Sequence, residues 1–269
     1  MLVVRALAVI GPLARDVVDG GNARIGGGPW HAGRALRALQ QEAIVIAKCG
    51  EPERRSYHRR LAALGLPVSL AAAGETTSFS FRYDADGRRE MRVEAIGEPW
   101  TEGDEPERVL RRVEWVHVAP LLRDDFSPET LERIARRRRV LLDGHGLVRA
   151  RRLGPLTLDP DFDRTLLRHV SILKLAEEEA QVILGDGELE ELRELGVPEV
   201  VVTFGAGGSL VLTRDAAVRV SARPTRGDPT GAGDAFAAAY VVERSRGLAP
   251  RRAAETATQL VHDLLAGAR

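Results

Sequence analysis

The stretch that decides the fold lies near the end of the chain, where residues 226–236 read R-G-D-P-T-G-A-G-D-A-F and an alanine-rich helical pattern follows. Gly231, Ala232 and Gly233 leave backbone N–H groups uncovered by large side chains, so an anion can approach the positive end of the predicted helix. Asp234 stands in the first turn, where the same dipole stabilises an ionised carboxylate. A base beside a phosphate cradle indicates phosphoryl transfer. On composition alone, a glycine-capped turn before an ordinary helix is an equally good interpretation.

Outward from this stretch, the chain alternates short apolar runs with segments of helical spacing. Residues 2–10 form an apolar run that Gly11-Pro12 ends, as a buried strand would end. Glycines 26–28 then open a helical segment. Strands are predicted at 43–47, 66–70, 116–119, 140–143, 172–175, 199–204 and 209–213, and helices at 54–64, 128–138, 162–169, 177–184, 188–195, 231–244 and 250–265. Such alternation predicts an α/β fold with a mainly parallel sheet.

The pattern changes between residues 75 and 96. Two strands, 77–83 and 91–96, flank the turn-forming residues 84–87, which predicts a hairpin. Together with extended pieces between 13 and 25, the hairpin would form a small antiparallel sheet that acts as a lid. The predicted division of the chain is therefore an α/β domain at 1–12, 26–74 and 97–269, and a lid at 13–25 and 75–96.

Charge and composition restrict the partners of the chain. Its 39 basic and 39 acidic residues cancel, so no global field attracts nucleic acid or an anionic membrane. The basic run at 136–139 is interpreted as the solvated end of a helix, where cations complement the dipole. No apolar run reaches the roughly 18 residues of a membrane span, and Arg5 interrupts the apolar start, which argues against a signal peptide. We expect no nucleic acid and no membrane as partner.

The scarcity of cysteine and lysine excludes a disulfide framework and a P-loop. Cys49 is the only cysteine, so no disulfide framework can form, and we expect a reducing cytoplasmic setting. Of the 39 basic residues, only Lys48 and Lys174 are lysines. A Walker-type phosphate loop needs Lys followed by Ser or Thr, whereas Cys49 and Leu175 follow these two lysines. The phosphate cradle predicted here is therefore not a P-loop.

Residues 228–236, D-P-T-G-A-G-D-A-F, resemble the C-terminal signature of the PfkB, or ribokinase-like, family of carbohydrate and nucleoside kinases. The resemblance implies a three-layer α/β/α ribokinase-like fold with a small β lid, and ATP and Mg²⁺ as cofactors. In that family the last Asp of the signature accepts the proton of the substrate hydroxyl, a role that falls on Asp234. The amides of 231–233 would form the anion hole for the transferred phosphoryl group. Asp228 and Thr230 would fall near the nucleotide phosphates or the metal.

Further segments resemble the substrate side of the family in the right order. Residues 8–11, followed by Asp16, resemble the first strand and the Asp that binds substrate hydroxyls. Gly27 and Gly28 resemble the N-terminal signature, whose diglycine backbone lies against the substrate. Residues 77–93 resemble the lid hairpin. The resemblance therefore implies that Asp16 and the diglycine bind the substrate.

The nucleotide side has weaker matches. Residues 203–208, T-F-G-A-G-G, resemble the segment that closes over the nucleotide, which implies that Thr203, Gly205 and Gly208 lie beside ATP. Glycine there lets the backbone approach phosphate or ribose closely, although without this context a tight turn between two strands is the better interpretation. Glu179 and the residues before it resemble the N-x-x-E region, whose Glu organises Mg²⁺ through water.

Two positions depart from the family pattern. Ala176 stands where N-x-x-E has Asn, so one polar contact to the metal hydration shell or the phosphates is absent. Ala32 stands where ribose-type kinases have Asn, so we do not expect a ribose-type pocket. Just before it, Trp30 either stacks on an apolar sugar face or packs at the helix start, and both interpretations stay open. His31 is interpreted as packing.

Polar residues after the predicted strand 140–143 offer a second candidate edge of the site. Asp143-Gly144-His145 would lie at a carboxyl strand end, where open α/β sheets bind ligands. Arg149 could reach an anionic substrate group, although surface charge is the commoner role of an arginine in so arginine-rich a chain. His145 has no cysteine or histidine partner at a suitable spacing, which argues against a zinc site.

Together these observations predict an ATP-dependent kinase acting on a hydroxyl of a sugar, cyclitol or nucleoside, with lid closure excluding water. The expected partner is a small-molecule polyol, and the lid could pair two copies into a homodimer. Ala176 and Ala32 keep open a non-catalytic ligand sensor on the same fold. A dinucleotide-dependent oxidoreductase is disfavoured, because Gly11-Pro12-Leu13 stands where G-x-G-x-x-G is required.

Overall fold

The apolar runs form strands of one large sheet and one small sheet. A computed structural model describes residues 7–83, 89–104, 107–225 and 229–267. The strands are β1 (Leu7–Pro12), β2 (Ala14–Val18), β3 (Arg24–Gly26), β4 (Ala43–Gly50), β5 (Val68–Ala73), β6 (Thr77–Tyr83), β7 (Arg89–Ala95), β8 (Trp115–Val118), β9 (Arg139–Asp143), β10 (Gly154–Pro155), β11 (Ile172–Ala176), β12 (Glu199–Thr203), β13 (Ser209–Thr213) and β14 (Ala217–Val220).

Helices connect most of these strands. They are α1 (Gly28–Ala38), α2 (Glu51–Ala62), α3 (Glu107–Leu110), α4 (Pro128–Ala135), α5 (His145–Val148), α6 (Glu177–Leu184), α7 (Ala232–Ser245) and α8 (Pro250–Leu265), with 3₁₀ helices at Arg164–His169, Leu189–Leu195 and Gly205–Gly207. In the described part of the chain, we find no helix that is both long enough and apolar enough to pass through a bilayer.

The large sheet is mainly parallel, as predicted. Its order is β14-β13-β12-β11-β9-β8-β1-β4-β5. All strands from β12 to β5 pair in parallel, while β13 and β14 add an antiparallel extension at one edge. Because parallel strands share one direction, their carboxyl ends meet at a single edge of the sheet.

Helices cover both faces of this sheet. Side chains alternate between faces along a strand, so Leu7 and Val9 of β1 pack into the cluster that α1, α7 and α8 complete. Ala8 and Ile10 point to the opposite face and join the cluster that α4 and α6 complete. The result is the three-layer α/β/α arrangement, which confirms the predicted fold class.

The small sheet lies against the carboxyl edge and has the order β10-β7-β6-β2-β3. The expectation of an antiparallel lid is wrong for one pair, since β2 and β6 run parallel. The reason is connectivity: β2 directly follows β1 and β6 closely follows β5, so both strands leave the same sheet edge in the same direction. Strand β10, which pattern reasoning did not predict, closes one edge of the lid.

The two faces of the lid differ in chemistry. Phe79, Phe81 and Val93 belong to an apolar cluster on the inner face. The outer face carries charged side chains, among them Arg92 and Glu94, which form an ion pair at 3.7 Å. Pairing of two lids in a homodimer stays a prediction.

Several predicted elements differ in detail. Helix α2 begins at Glu51 rather than residue 54, because Pro52 is favourable in a first helical turn. The segments predicted as helices at 162–169 and 188–195 are short 3₁₀ helices, and β14 was not predicted. Residues 1–6 of the first predicted strand and the predicted hairpin turn at 84–87 lie outside the described residues.

A buried lysine fastens the return from the lid to the α/β domain. Lys48, at the end region of β4, has 7% of its side chain exposed. Its Nζ donates to Asp104 Oδ2 at 2.8 Å and to the Pro99 carbonyl at 3.0 Å. The same Asp104 oxygen accepts the Thr101 N–H at 2.7 Å. The segment that follows β7 is thereby tied to the central sheet.

Candidate active site

A cavity of about 300 Å³ lies between the lid and the carboxyl edge of the large sheet. This edge is where open α/β sheets bind ligands. The lid contributes the carboxylate of Asp16 and the apolar side chains of Phe79, Phe81 and Met91. The opposite wall is formed by strand ends and the first turn of α7. A bound molecule would therefore meet apolar side chains and one carboxylate from the lid, and backbone and charged groups from the opposite wall.

The start of α7 forms one wall of the cavity, which residues 229–234 line. Gly231 precedes the helix with φ +77° and ψ 4°, a left-handed conformation that glycine adopts without steric cost. The N–H groups of a first helical turn lack intrahelical partners, and no described side chain caps them here. The Ala232 N–H donates to the Pro229 carbonyl at 3.0 Å, so an anion at this helix start would chiefly meet the amides on either side of Ala232. Asp234 lies in the same turn and faces the same cavity.

The diglycine lies directly against Asp234. A Cβ atom on Gly28 would lie 3.0 Å from Asp234 Oδ1 and 2.3 Å from the Ala119 Cβ atom. A side chain at position 28 would therefore displace Ala119 and crowd the carboxylate. Gly27 has φ +91°, and its own Cβ would meet the Pro12 carbonyl at 2.7 Å. The two glycines allow the start of α1 and the start of α7 to meet.

Asp16 reaches the cavity from lid strand β2. The residue is buried, with 8% of its surface exposed. A Cβ atom on Gly26 would lie only 1.9 Å from Asp16 Oδ2, so the carboxylate packs on the bare backbone of β3. Since Gly26 is followed by the diglycine, Asp16 and the Gly27–Gly28 backbone line adjacent parts of the cavity.

Only some of the residues predicted in the loop after β12 line the cavity. Thr203 and Gly205 line the cavity, and the Thr203 hydroxyl donates to the Leu175 carbonyl at 3.2 Å. Gly208 does not line it. Its φ is +92° and a Cβ there would meet the Val220 carbonyl at 2.0 Å, so the backbone of β14 explains the glycine at this position.

Three buried ionisable residues cross the carboxyl ends of β8, β9 and β11. His117, Asp143 and Lys174 each stand two positions after a residue of the cluster around α7, so strand alternation turns all three toward α7. Lys174 pairs in register with Asp143, and its Nζ lies 3.2 Å from Asp143 Oδ1. His117 Nε2 donates to Asp143 Oδ2 at 2.6 Å. The Asp143 carboxylate is thus held from both sides.

The opposite charges of Asp143 and Lys174 keep both residues ionised. Burial would raise the pKa of Asp143, but the Lys174 ammonium and the hydrogen bond from His117 hold it below its usual range. Burial would lower the pKa of Lys174, but Asp143 and two further nearby carboxylates raise it above its usual value. Asp143 is therefore a carboxylate and Lys174 an ammonium at neutral pH.

Asp234 experiences the opposite balance. Burial is the main cause that raises the pKa of this carboxyl, and the Asp143 carboxylate raises it further. His31, Lys174 and His117 act in the other direction without cancelling the rise. A carboxyl whose pKa is moved toward neutrality is a better general base than an ordinary aspartate.

Glu179, expected to organise Mg²⁺ through water, is engaged within the protein. Its Oε2 accepts the Ala176 N–H at 2.8 Å and its Oε1 lies 3.2 Å from His145 Nε2. The residue is 2% exposed, and Glu178 lines the cavity instead. Within the described ranges, no group of three or more His, Cys, Asp or Glu side chains could hold a metal ion. Since proteins usually hold Mg²⁺ through one or two carboxylates together with water and substrate phosphates, the water-mediated role of Glu179 stays a prediction.

Most of the residues that the sequence suggested for the site line one cavity. They are Asp16, Gly27, Gly28, Arg149, Thr203, Gly205, Thr230, Gly231, Ala232, Gly233 and Asp234. Trp30 is placed elsewhere: it is half-buried against the cluster that contains Leu13 and Tyr57. Asp228 lies outside the described residues.

Sequence reasoning missed several cavity residues. Lys174 enters the sequence analysis only as a lysine that cannot belong to a P-loop, yet the apolar Ile172 two positions before it indicates that it shares the face toward α7. His31 both packs and lines the cavity, since a Cβ on Gly231 would lie 2.1 Å from its Nδ1. Phe79 and Phe81 were recognised only as lid residues, because a strand pattern does not reveal what its buried face covers.

The sequence comparisons agree with this geometry. A family model described as pfkB family carbohydrate kinase matches residues 18–260. The inositol 3-kinase of Oryza sativa subsp. japonica is 28% identical in an alignment of 252 positions that covers 86% of this chain and 61% of that protein. The inositol 3-kinase of Zea mays is 29% identical in an alignment of 223 positions that covers 78% of this chain and 55% of that protein. The chain thus spans only part of the length of these curated relatives.

The structural comparison agrees as well. A solved structure of a pyrophosphate-dependent kinase in the ribokinase family, complexed with a pyrophosphate analog and myo-inositol, superposes with a TM-score of 0.83. The superposition covers 96% of this chain and 94% of that chain at 24% sequence identity. The likeness shows a shared ribokinase-like fold. The family match across residues 18–260 establishes that the chain belongs to the pfkB family of carbohydrate kinases.

Proposed function

We propose that this kinase transfers the γ-phosphoryl group of ATP to a hydroxyl of a small polyol, with Asp234 as general base and the amides of 231–233 as anion hole. One observation carries the proposal. The Gly28 backbone, on the acceptor side, and the bare first turn of α7, on the phosphate side, meet at the same carboxylate. A hydroxyl bound at the diglycine would therefore lie between its base and the phosphoryl group.

The reaction would proceed as an in-line displacement. Asp234 accepts the proton of the acceptor hydroxyl as that oxygen forms a bond to the γ-phosphorus. The bond from the γ-phosphorus to the bridging oxygen breaks, and ADP leaves with the electron pair. The N–H groups of Gly231 and Gly233 donate to the oxygens of the migrating group, where negative charge must be stabilised. The Ala232 N–H would join them only by leaving the Pro229 carbonyl, to which it donates at 3.0 Å. Asp234 afterwards releases its proton to solvent.

Inositols are the first acceptors to test. Both curated relatives quoted above are inositol 3-kinases, and a cyclitol suits a cavity with Asp16 on one wall and Phe79, Phe81 and Met91 above it. A polyol ring presents hydroxyls at its rim and C–H groups on its faces, which matches a lid that offers both a carboxylate and apolar side chains. Sugars and nucleosides form the rest of the panel.

The donor is proposed to be ATP, carried as its magnesium complex. Thr203, Gly205 and Thr230 line the part of the cavity next to the anion hole and are proposed to contact the nucleotide. The magnesium ion enters this proposal as part of the donor, held mainly by the donor phosphates. Pyrophosphate is the second donor to test, since the structural neighbour is described as pyrophosphate-dependent.

The first experiment compares Asp234→Asn with the wild type in a coupled assay that detects ADP, or phosphate when pyrophosphate is the donor. The substitution removes the base but keeps the side-chain size, so kcat should fall by about 10²–10⁴-fold. Thermal unfolding and donor binding should change little. Asp215→Asn, which removes an exposed carboxylate in the turn after β13, is the matched control and should retain full activity. Wild-type turnover by Asp234→Asn would refute the proposed role.

A further inference from the structure

The buried ammonium of Lys174 has no role in the proposed reaction described so far for Asp234 and the amides. Lys174 is 2% exposed, yet it is one of the residues that line the cavity. Lysine is almost never buried to this degree unless it is paired. The chain has only two lysines among 39 basic residues. The other, Lys48, fastens the segment that follows the lid, far along the chain from the phosphate cradle.

The ammonium lies against the anion hole itself. A Cβ atom built on Gly233 would lie 2.8 Å from Lys174 Nζ, closer than any real side chain could pack. Glycine at 233 therefore leaves the space that the lysine occupies. Since the amide of Gly233 belongs to the first turn of α7, the ammonium stands beside the groups that would bind an anion there.

The surroundings of Lys174 hold it in this position. Its Nζ pairs with Asp143 Oδ1 at 3.2 Å, and Asp143 is anchored in turn by the 2.6 Å hydrogen bond from His117. The Lys174 and Asp143 positions are also paired in register on neighbouring parallel strands. A side chain held this way loses little further freedom when a ligand arrives, which favours electrostatic stabilisation by a preorganised charge.

Lys174 also lies close to Ala176, one of the two positions that depart from the family pattern. Ala176, which stands where the family has Asn, follows Lys174 by two residues in β11, and both line the cavity. A full positive charge therefore stands on the same face of the same strand as the position that lacks the polar group.

We propose that Lys174 is a catalytic residue whose ammonium contacts the migrating phosphoryl group beside Gly233, and that Asp143 and His117 are positioning residues for it. This inference rests on the proposed function. The ammonium offsets negative charge on the phosphoryl oxygens as the acceptor oxygen attacks and the bond to the leaving group breaks. It neither gains nor loses a proton in the step.

Lys174→Met tests the proposal through kcat and its pH profile. Removing one preorganised donor typically lowers kcat by about 10²–10³-fold, and the acceptor KM should stay within about threefold of the wild-type value. Charged or titratable groups face Asp234 from every neighbouring element: His31 on α1, His117 on β8, Asp143 on β9 and Lys174 on β11. Without the lysine, the acidic limb of the kcat/KM profile should move to higher pH.

Asp143→Asn provides the opposite signature. It removes the carboxylate that raises the pKa of Asp234, so the acidic limb should move to lower pH, while kcat still falls because Lys174 loses its anchor. Lys174→Arg keeps the charge and should retain more activity than Lys174→Met. If these residues served folding alone, the variants would be less stable, but the acidic limb of the kcat/KM profile would not move to higher pH in Lys174→Met and to lower pH in Asp143→Asn.

Burying an uncompensated carboxylate can unfold a protein, so a second variant keeps the test decisive. The double variant Asp143→Asn with Lys174→Met removes both charges of the pair and should fold. Lys48→Met is the stability control, because it shows how much the loss of a buried lysine alone lowers the free energy of unfolding. Wild-type kcat in either folded variant that lacks Lys174 would overturn the inference. If Asp234→Asn also retains full turnover, the proposed function itself fails; if only the Lys174 variants retain it, the proposed function stands.

Discussion

The steric requirement for glycine at the start of α7 yields a prediction that the structure makes quantitative. Gly231 has φ +77° and ψ 4°, and Gly196, after the 3₁₀ helix Leu189–Leu195, has φ 75° and ψ 5°. The two backbones are alike, but their surroundings differ. A Cβ on Gly196 would meet no atom within 4 Å, whereas a Cβ on Gly231 would lie 2.1 Å from His31 Nδ1 and 2.8 Å from His31 Cβ.

The two substitutions to alanine therefore separate backbone strain from steric clash. A left-handed conformation costs an L-residue about 1–2 kcal/mol, and the smaller entropy of the unfolded chain offsets roughly 0.4–1 kcal/mol of it. Gly196→Ala should thus lower the free energy of unfolding by about 1 kcal/mol, or Tm by roughly 2–4 °C. Gly231→Ala adds overpacking of about 1–3 kcal/mol, because the Cβ of His31 is fixed by α1 and a change of rotamer cannot clear it.

The assay is urea unfolding of both variants, followed by kinetics on the same preparations. Gly196→Ala should keep wild-type kcat/KM. Gly231→Ala should lose at least about 100-fold, since a displacement of the order of 1 Å in the anion hole costs that much. Adding His31→Ala to Gly231→Ala removes the ring contact at 2.1 Å but keeps the Cβ contact at 2.8 Å, so it should recover only part of the extra instability. Equal stability of the two single variants, with kcat/KM retained in Gly231→Ala, would refute the reasoning.

Two further predictions concern residues away from the phosphate cradle. Asp104→Asn leaves the Lys48 ammonium without its carboxylate and should lower the free energy of unfolding by about 3 kcal/mol in urea titrations. Hydrogen bonds from Lys48 and Thr101 outweigh burial and lower the pKa of Asp104, so the wild type should hold this stabilisation above about pH 4 and lose it as pH falls further, whereas Asp104→Asn should show a smaller acid-induced loss. Trp30→Phe should change stability but leave the acceptor KM within about twofold, because Trp30 packs away from the cavity; a tenfold rise in KM would place it at the substrate.

Much of the fold was predictable because it depends on local patterns. The apolar runs of β1, β9, β11 and β12 and the spacing of α7 are visible in the chain itself, and alternation of strand and helix favours a parallel sheet. The parallel pairing of β2 with β6 was not predictable from the hairpin pattern, because it depends on where the two strands leave the large sheet. The 3₁₀ helices have patterns that resemble those of longer helices, and tertiary packing decides between them.

The candidate site divides in the same way. The glycines before α7 and the position of Asp234 in its first turn follow from the order of residues, since backbone freedom and the helix dipole are local properties. The assembly of Lys174, Asp143 and His117 does not, because these residues come from three strands separated along the chain and meet only when the strands pair in register. The same holds for Glu179, whose engagement with His145 withdraws it from the cavity.

The amino-acid sequence by itself determined the elements, the order in which they alternate and the bare helix start, because each depends on residues close together in the chain. Tertiary structure alone decided which charges surround Asp234, which lid side chains cover the cavity and which glycines have no space for a side chain. Electrostatic and steric effects of that kind depend on distances of a few ångströms between atoms far apart in sequence, and only the packed fold sets those distances.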